Sequence, residues 1–248
     1  MARFDYRTQT SDSAPALSTQ RPELAYVAPF FAFLLVMVPG SFGHAFGIDW
    51  ESLWKNYLPE LYTLKTLLAA LLLWYFWPCY TKIRWHKWWL GIPVGIAGTF
   101  LWIATDLLCR RIGLSWPPAS SDIYNPDALL GGTTRETLFL CIRVAGPSLV
   151  VPLMEELFFR DFIMRLLINR ENFQQPAIGA FTWLSLLAMS ALFGINHGRM
   201  FAAGFVYGLL MGILLIRTKS LGACIVAHGI TNFTLYLYVI YSGDWQWM

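Results

Sequence analysis

Two adjacent carboxylates and a guanidinium, Glu155, Glu156 and Arg160, interrupt the otherwise apolar run Val150-Val-Pro-Leu-Met-Glu-Glu-Leu-Phe-Phe-Arg160. On a helix Glu156 and Arg160 lie four residues apart on one face and pair, whereas Glu155 projects roughly 100° away and is left without that partner. Downstream, Phe193-Gly-Ile-Asn-His197 closes one apolar run, and His228-Gly-Ile-Thr-Asn232 lies inside the last one. His228 and Asn232 are again four apart and present two hydrogen-bond donors together. Hydrolysing a peptide bond takes a base for the water, a group that returns the proton to the leaving amine, and donors aimed at the oxyanion. Glu155 with His197 has the types for the first two tasks, and His228 with Asn232 for the third. The same residues also allow a three-ligand zinc site at Glu155, His197 and His228 with an open fourth position. They equally allow a buried ion-pair network with no chemistry.

The surroundings of these residues are those of a membrane protein. Hydrophobic residues make up 56% of the 248-residue chain and charged residues 13%, with a mean hydropathy of +0.49. Soluble domains carry roughly twice that share of charge. A charged side chain at bilayer depth costs ~2.5–3.5 kcal/mol even on lenient scales, so the Glu155–Arg160 group is expected to face a bundle interior and to have partners there. Trp85, Trp88 and Trp89 flank an apolar run, as interfacial anchors do. A net charge of +3, scattered over connecting segments, gives no support to nucleic-acid binding. Cys79, Cys109, Cys141 and Cys224 lack metal-site spacing and read as small hydrophobes.

The fold class is therefore an all-α, polytopic helical bundle with about seven to eight transmembrane helices. A polar tail over residues 1–23 precedes one transmembrane domain over 24–248, divided into N-terminal spans and a loop (24–135) and a catalytic core (136–248). The expected spans are Leu24–Phe46, read as a retained first span, then Leu61–Cys79 and Trp88–Leu108. After the motif helix come Pro176–Ile195, Phe201–Ile216 and Leu221–Tyr241. The proline- and glycine-rich stretch from Arg110 to Arg135 predicts a structured loop. Within Glu136–Ile168, Gly146-Pro147 predicts a break, with the Glu155 motif near the start of the helix that follows and an eighth span if the first part crosses separately. Lys and Arg gather in the loops on the N-terminal side, which places that side in the cytoplasm.

Glu155-Glu156-x-x-x-Arg160, Phe193-x-x-x-His197 and His228-x-x-x-Asn232, in this order, resemble the three motifs of the CPBP family, the CAAX-protease and bacteriocin-processing (Abi) group of intramembrane glutamic endopeptidases. The resemblance covers Pro147 to Phe233. It implies that Glu155 and His197 activate water, that His228 and Asn232 stabilise the oxyanion, and that Glu156 and Arg160 hold the first glutamate in place. It implies no cofactor, a membrane-anchored or lipidated protein or peptide as substrate, and a lipid bilayer, here a bacterial inner membrane, as the setting. Two rivals stay open: a zinc metalloprotease of the same architecture, and a non-catalytic transporter, immunity or scaffold protein. Against the transporter, no inverted repeat and no second interrupted span appear in the sequence.

Overall fold

The computed structural model describes residues 21–36, 50–114 and 125–247, and among these residues there is no strand. The helices are α1 (Glu23–Leu35), α2 (Trp50–Tyr75), α3 (Gly91–Arg111), the short α4 (Pro126–Leu130), α5 (Thr134–Leu166), α6 (Trp183–Asn196), α7 (Phe201–Thr218) and α8 (Leu221–Ser242). Four helical stretches, Trp88–Arg111, Thr134–Leu166, Phe201–Thr218 and Leu221–Ser242, are long and apolar enough to cross a membrane. Helices α1 and α6 are apolar but shorter. Trp74, Phe100, Leu149 and Ile195 are each more than 60% exposed. Such outward apolar surface suits lipid, where every backbone group is already satisfied within its helix. The chain is an all-α membrane helical bundle.

The largest departure from expectation is α5. No break occurs at Gly146-Pro147; the helix runs without interruption through 33 residues by widening into π turns at Gly146–Val150 and Glu156–Ile163. The reason is Pro152, which has no N–H to donate and whose ring clashes with the carbonyl four residues back in a regular α-helix. In the wider register the N–H of Val151 reaches back to the Gly146 carbonyl, and the helix continues past the prolines. Glu155 consequently sits well past the middle of α5 and not near the start of a new helix, and the additional eighth span does not arise.

Other boundaries shift for local reasons. Helix α2 starts at Trp50, ahead of the expected Leu61, because Leu58 and Tyr62 bury one face against Phe139 of α5 while Glu60 on the other face pairs with Arg135. Helix α6 starts at Trp183 and not at Pro176. There Thr182 and Ser185 form a reciprocal capping box, and Gly179 at φ +77° lies within the irregular segment before it. In the Arg110–Arg135 stretch, α4 is capped by Asn125 and stopped by Gly131. The first twenty residues of the expected 1–23 tail and the later part of the Leu24–Phe46 span fall outside the described residues.

Two close helix contacts place the site. A Cβ at Gly91 would lie 2.6 Å from the Ala223 carbonyl and one at Gly95 would lie 2.5 Å from the Ala227 carbonyl, so α3 and α8 pack backbone to backbone. Gly204, Gly208 and Gly212, at four-residue spacing, seat α7 on α6 in the same way. Helix α5 lies among the others; Phe158 stacks on Phe30 of α1 at 4.0 Å, and Phe159 meets Phe193 of α6 edge-on.

Candidate active site

Helix α5 directs Glu156 and Arg160 into the bundle, where both are fully buried and their charged groups approach to 3.1 Å. The Arg160 guanidinium lies over the Phe193 ring at 4.4 Å, which stabilises a buried cation without a hydrogen bond. The Nδ1–H of His228, on α8, donates to Glu156 Oε1 at 2.8 Å. Spacing on α5 alone foresees the Glu156–Arg160 pair. It contains nothing of the Glu156–His228 bond, which depends on two helices meeting at one depth.

Glu155 faces the other way, as the roughly 100° step predicts. Its Oε1 accepts from the Asn196 side-chain amide at 3.3 Å, and its Oε2 stands 3.9 Å from His228 Nε2. His228 thus sits between the two glutamates. Asn196 is a site residue that the sequence reading passed over; its one signal is its position beside His197 at the end of an apolar run.

His197 follows directly on α6. Its Nδ1 lies 2.8 Å from the Phe193 carbonyl, which only accepts, so Nδ1 carries the proton and Nε2 keeps a lone pair. Trp102 holds the ring edge-on at 4.9 Å. Helix α6 has 14 residues, ~21 Å at 1.5 Å per residue, well short of the ~30 Å hydrocarbon layer. That shortness ends α6 level with Glu155 and sets His197 at the depth of the carboxylates.

Asn232 meets a different partner from the one its spacing suggests. Its side-chain amide donates to the Pro147 carbonyl at 2.7 Å. The π turn explains why that carbonyl is open: Val151 has turned to Gly146, and the residue one further on, Pro152, has nothing to donate. Asn232 therefore ties α8 to the widened turn of α5 and has one amide hydrogen left for other use.

Glu155, His197, His228 and Asn232 line one cavity of about 290 Å³. Lys65 of α2, Arg143 of α5 and Arg199 of the α6–α7 turn line it too, and among the described residues Glu155 is its one carboxylate. Arg199 donates to the Gln246 backbone carbonyl at the end of the described chain. Among the described residues seven buried side-chain polar atoms lack a hydrogen-bond partner, and five of them belong to Glu155, Glu156 and Arg160. A second, larger groove of about 1130 Å³ between Thr81 and Leu221 has no histidine or carboxylate in its lining. Among the described residues no three His, Cys, Asp or Glu side chains are placed to hold a metal ion together.

Residues 137–234 match the family described as Type II CAAX prenyl endopeptidase Rce1-like. The match takes in all six motif residues from Glu155 to Asn232 and leaves out α1 to α4. No curated protein and no solved structure matches the chain.

Proposed function

We propose that the chain is an intramembrane glutamic endopeptidase, a reading supported by the match of residues 137–234 to the Rce1-like family of Type II CAAX prenyl endopeptidases. Its substrate is a membrane-anchored or lipidated protein or peptide, and its setting is a bacterial inner membrane. Glu155 takes a proton from a water molecule oriented by the Nε2 lone pair of His197, and the water oxygen bonds to the scissile carbonyl carbon. The carbonyl electrons move onto oxygen, and donors from Asn232 and His228 stabilise that charge. His228 serves as such a donor when it holds both ring protons, Nδ1–H toward Glu156 and Nε2–H toward the cavity. As the tetrahedral intermediate collapses, the C–N bond breaks and Glu155 returns its proton to the leaving amine. Arg160 neutralises Glu156, and Glu156 orients His228.

The observation that carries this reading is the Glu155 carboxylate. It is buried, one of its oxygens has no hydrogen-bond partner among the described residues, and it shares a small cavity with two histidines and an asparagine. A purely structural ion-pair network would leave fewer such atoms, because a buried unpaired charge costs several kcal/mol. The zinc reading has less support, since among the described residues no three His, Cys, Asp or Glu side chains are placed to hold one ion together.

The test compares the protein termini in membranes of cells carrying the wild type and Glu155→Gln, by mass spectrometry, with and without a chelator. Termini present only with the wild type, and insensitive to the chelator, are expected. Their loss with the chelator alone would move the assignment to a metalloprotease. Identical termini from two folded proteins would overturn the peptidase reading altogether.

A further inference from the structure

Beyond α8 the chain turns back onto the bundle. Gly243, left-handed at φ +69°, ends the helix with its N–H on the Val239 carbonyl, and residues 244–247 fold across the end of the bundle, where Trp245 and Trp247 are both buried. Two other elements hold this segment. Near the C-terminal end of α3, Asp106 accepts from the Trp247 indole N–H at 2.8 Å and pairs with Arg110, also at 2.8 Å. Arg110 donates in turn to the side-chain oxygen of Gln246, and Arg199 of the α6–α7 turn takes the Gln246 backbone carbonyl. Gln246 and Trp247 thereby line the same cavity as Glu155, His197 and Asn232, and the mechanism uses neither of them. Fixing α8 to α3 does not require these bonds, because the two helices already pack backbone to backbone through Gly91 and Gly95.

We propose that residues 244–247 are a strap that closes this cavity at the bundle end and has to release before a substrate segment enters, a reading that for the cleaved substrate rests on the peptidase function above. The strap is built to open. Among the described residues no heavy atom lies within 4 Å of where a Cβ on Gly243 would stand, so the hinge is unpacked on that side. Past the hinge there is one short 3₁₀ turn, Trp245–Trp247, so opening breaks a few polar bonds and melts no long helix. Shut, the strap is itself a peptide whose carbonyl oxygens occupy Arg110 and Arg199, and an incoming chain competes with it for the same space. With the open form in the minority, the apparent affinity for substrate falls by the open fraction, while the rate at saturation stays the same. No catalytic role follows for Gln246 or Trp247; they govern entry.

The test uses the full chain in lipid nanodiscs with Val151→Cys, a cavity position one turn before Glu155. It follows modification of that thiol by a membrane-impermeant methanethiosulfonate, resolved from the natural cysteines by peptide mapping. Gln246→Ala removes the bond to Arg110 and should speed modification about 10-fold, the scale of one hydrogen bond to a charged group. Gln246→Glu combined with Asp244→Asn exchanges the two ends of the Gln246–Asp244 bond, sets a carboxylate on Arg110, and should slow modification about 2- to 5-fold. In the same variants without Val151→Cys, cleavage of a dilute pool of short N-palmitoylated peptides of mixed sequence should change by the same factors in the same directions, and cleavage of a saturating pool should not change. Modification that ignores both variants, or a lower melting temperature in Gln246→Ala without faster modification, would make the segment a structural tie and overturn the strap while leaving the peptidase reading in place. Modification that follows the variants, with no pool cut by any of them, would uphold the strap and overturn the peptidase.

Discussion

Helix α5 carries two acid–arginine pairs of identical spacing, one directly after the other, and they end up in opposite conditions. Asp161 and Arg165 are saturated. Asp161 accepts from Tyr26 of α1 and from Thr81, each at 3.2 Å, and Arg165 donates to the Gln174 and Pro176 carbonyls at 2.6 and 2.8 Å as well as to Asp161. Glu156 and Arg160 have each other, His228 and an aromatic face, and all three Arg160 nitrogens lack a hydrogen-bond partner. Spacing alone does not distinguish the pairs. The difference lies in which elements surround them: the Asp161–Arg165 pair ties together α1, the segment after α2 and the loop after α5, and the Glu156–Arg160 pair is sealed behind His228, which it holds at the wall of the cavity that Glu155 lines. A saturated pair holds helices in place, whereas an unsaturated one retains electrostatic capacity for a reacting group.

Substitutions that separate the two conditions should separate their effects. The largest is expected at Glu155→Gln, which should lower cleavage by ~10²–10⁴-fold, the range for losing a general base, with the melting temperature unchanged. Next, Arg165→Met should destabilise the fold by about 3–5 kcal/mol by stranding Asp161, while the folded fraction cleaves at the normal rate; a thermal melt beside a rate per folded molecule checks this. Asn232→Ala should do some of each. Losing an oxyanion donor costs ~10²-fold in rate, and the unpaired Pro147 carbonyl costs ~1–3 kcal/mol in stability. The smallest effect is expected at Gly229→Ala. Its Cβ would stand 2.7 Å from the Ser148 carbonyl, so α8 must shift from the π turn at ~1–3 kcal/mol, and the same melt measures it.

The two pairs also mark how far the sequence could be read. Composition and apolar windows give an all-α membrane bundle, because lipid leaves few other ways to satisfy a backbone. The Glu156–Arg160 pairing and the separate direction of Glu155 follow from helical periodicity. The course of α5 does not, since a glycine–proline pair with a second proline five residues on ordinarily ends a helix, and only the π register carries it through. The same register decides what Asn232 binds, so its contact with Pro147 was beyond reach too. Asn196 and the His228–Glu156 bond depend on the depth at which α6 and α8 meet α5. Gln246 and Trp247 lie outside every motif and reach the cavity only because the chain turns back at Gly243.

The most direct measurement follows one substrate terminus, found in the membrane comparison above, with purified protein in nanodiscs, recording the rate per folded molecule and the melting temperature of Glu155→Gln and Arg165→Met together. Glu155→Gln should melt like the wild type and not cut, and Arg165→Met should melt early and cut normally. A well-folded Glu155→Gln protein that cuts at the wild-type rate would contradict the assignment of Glu155 as the base.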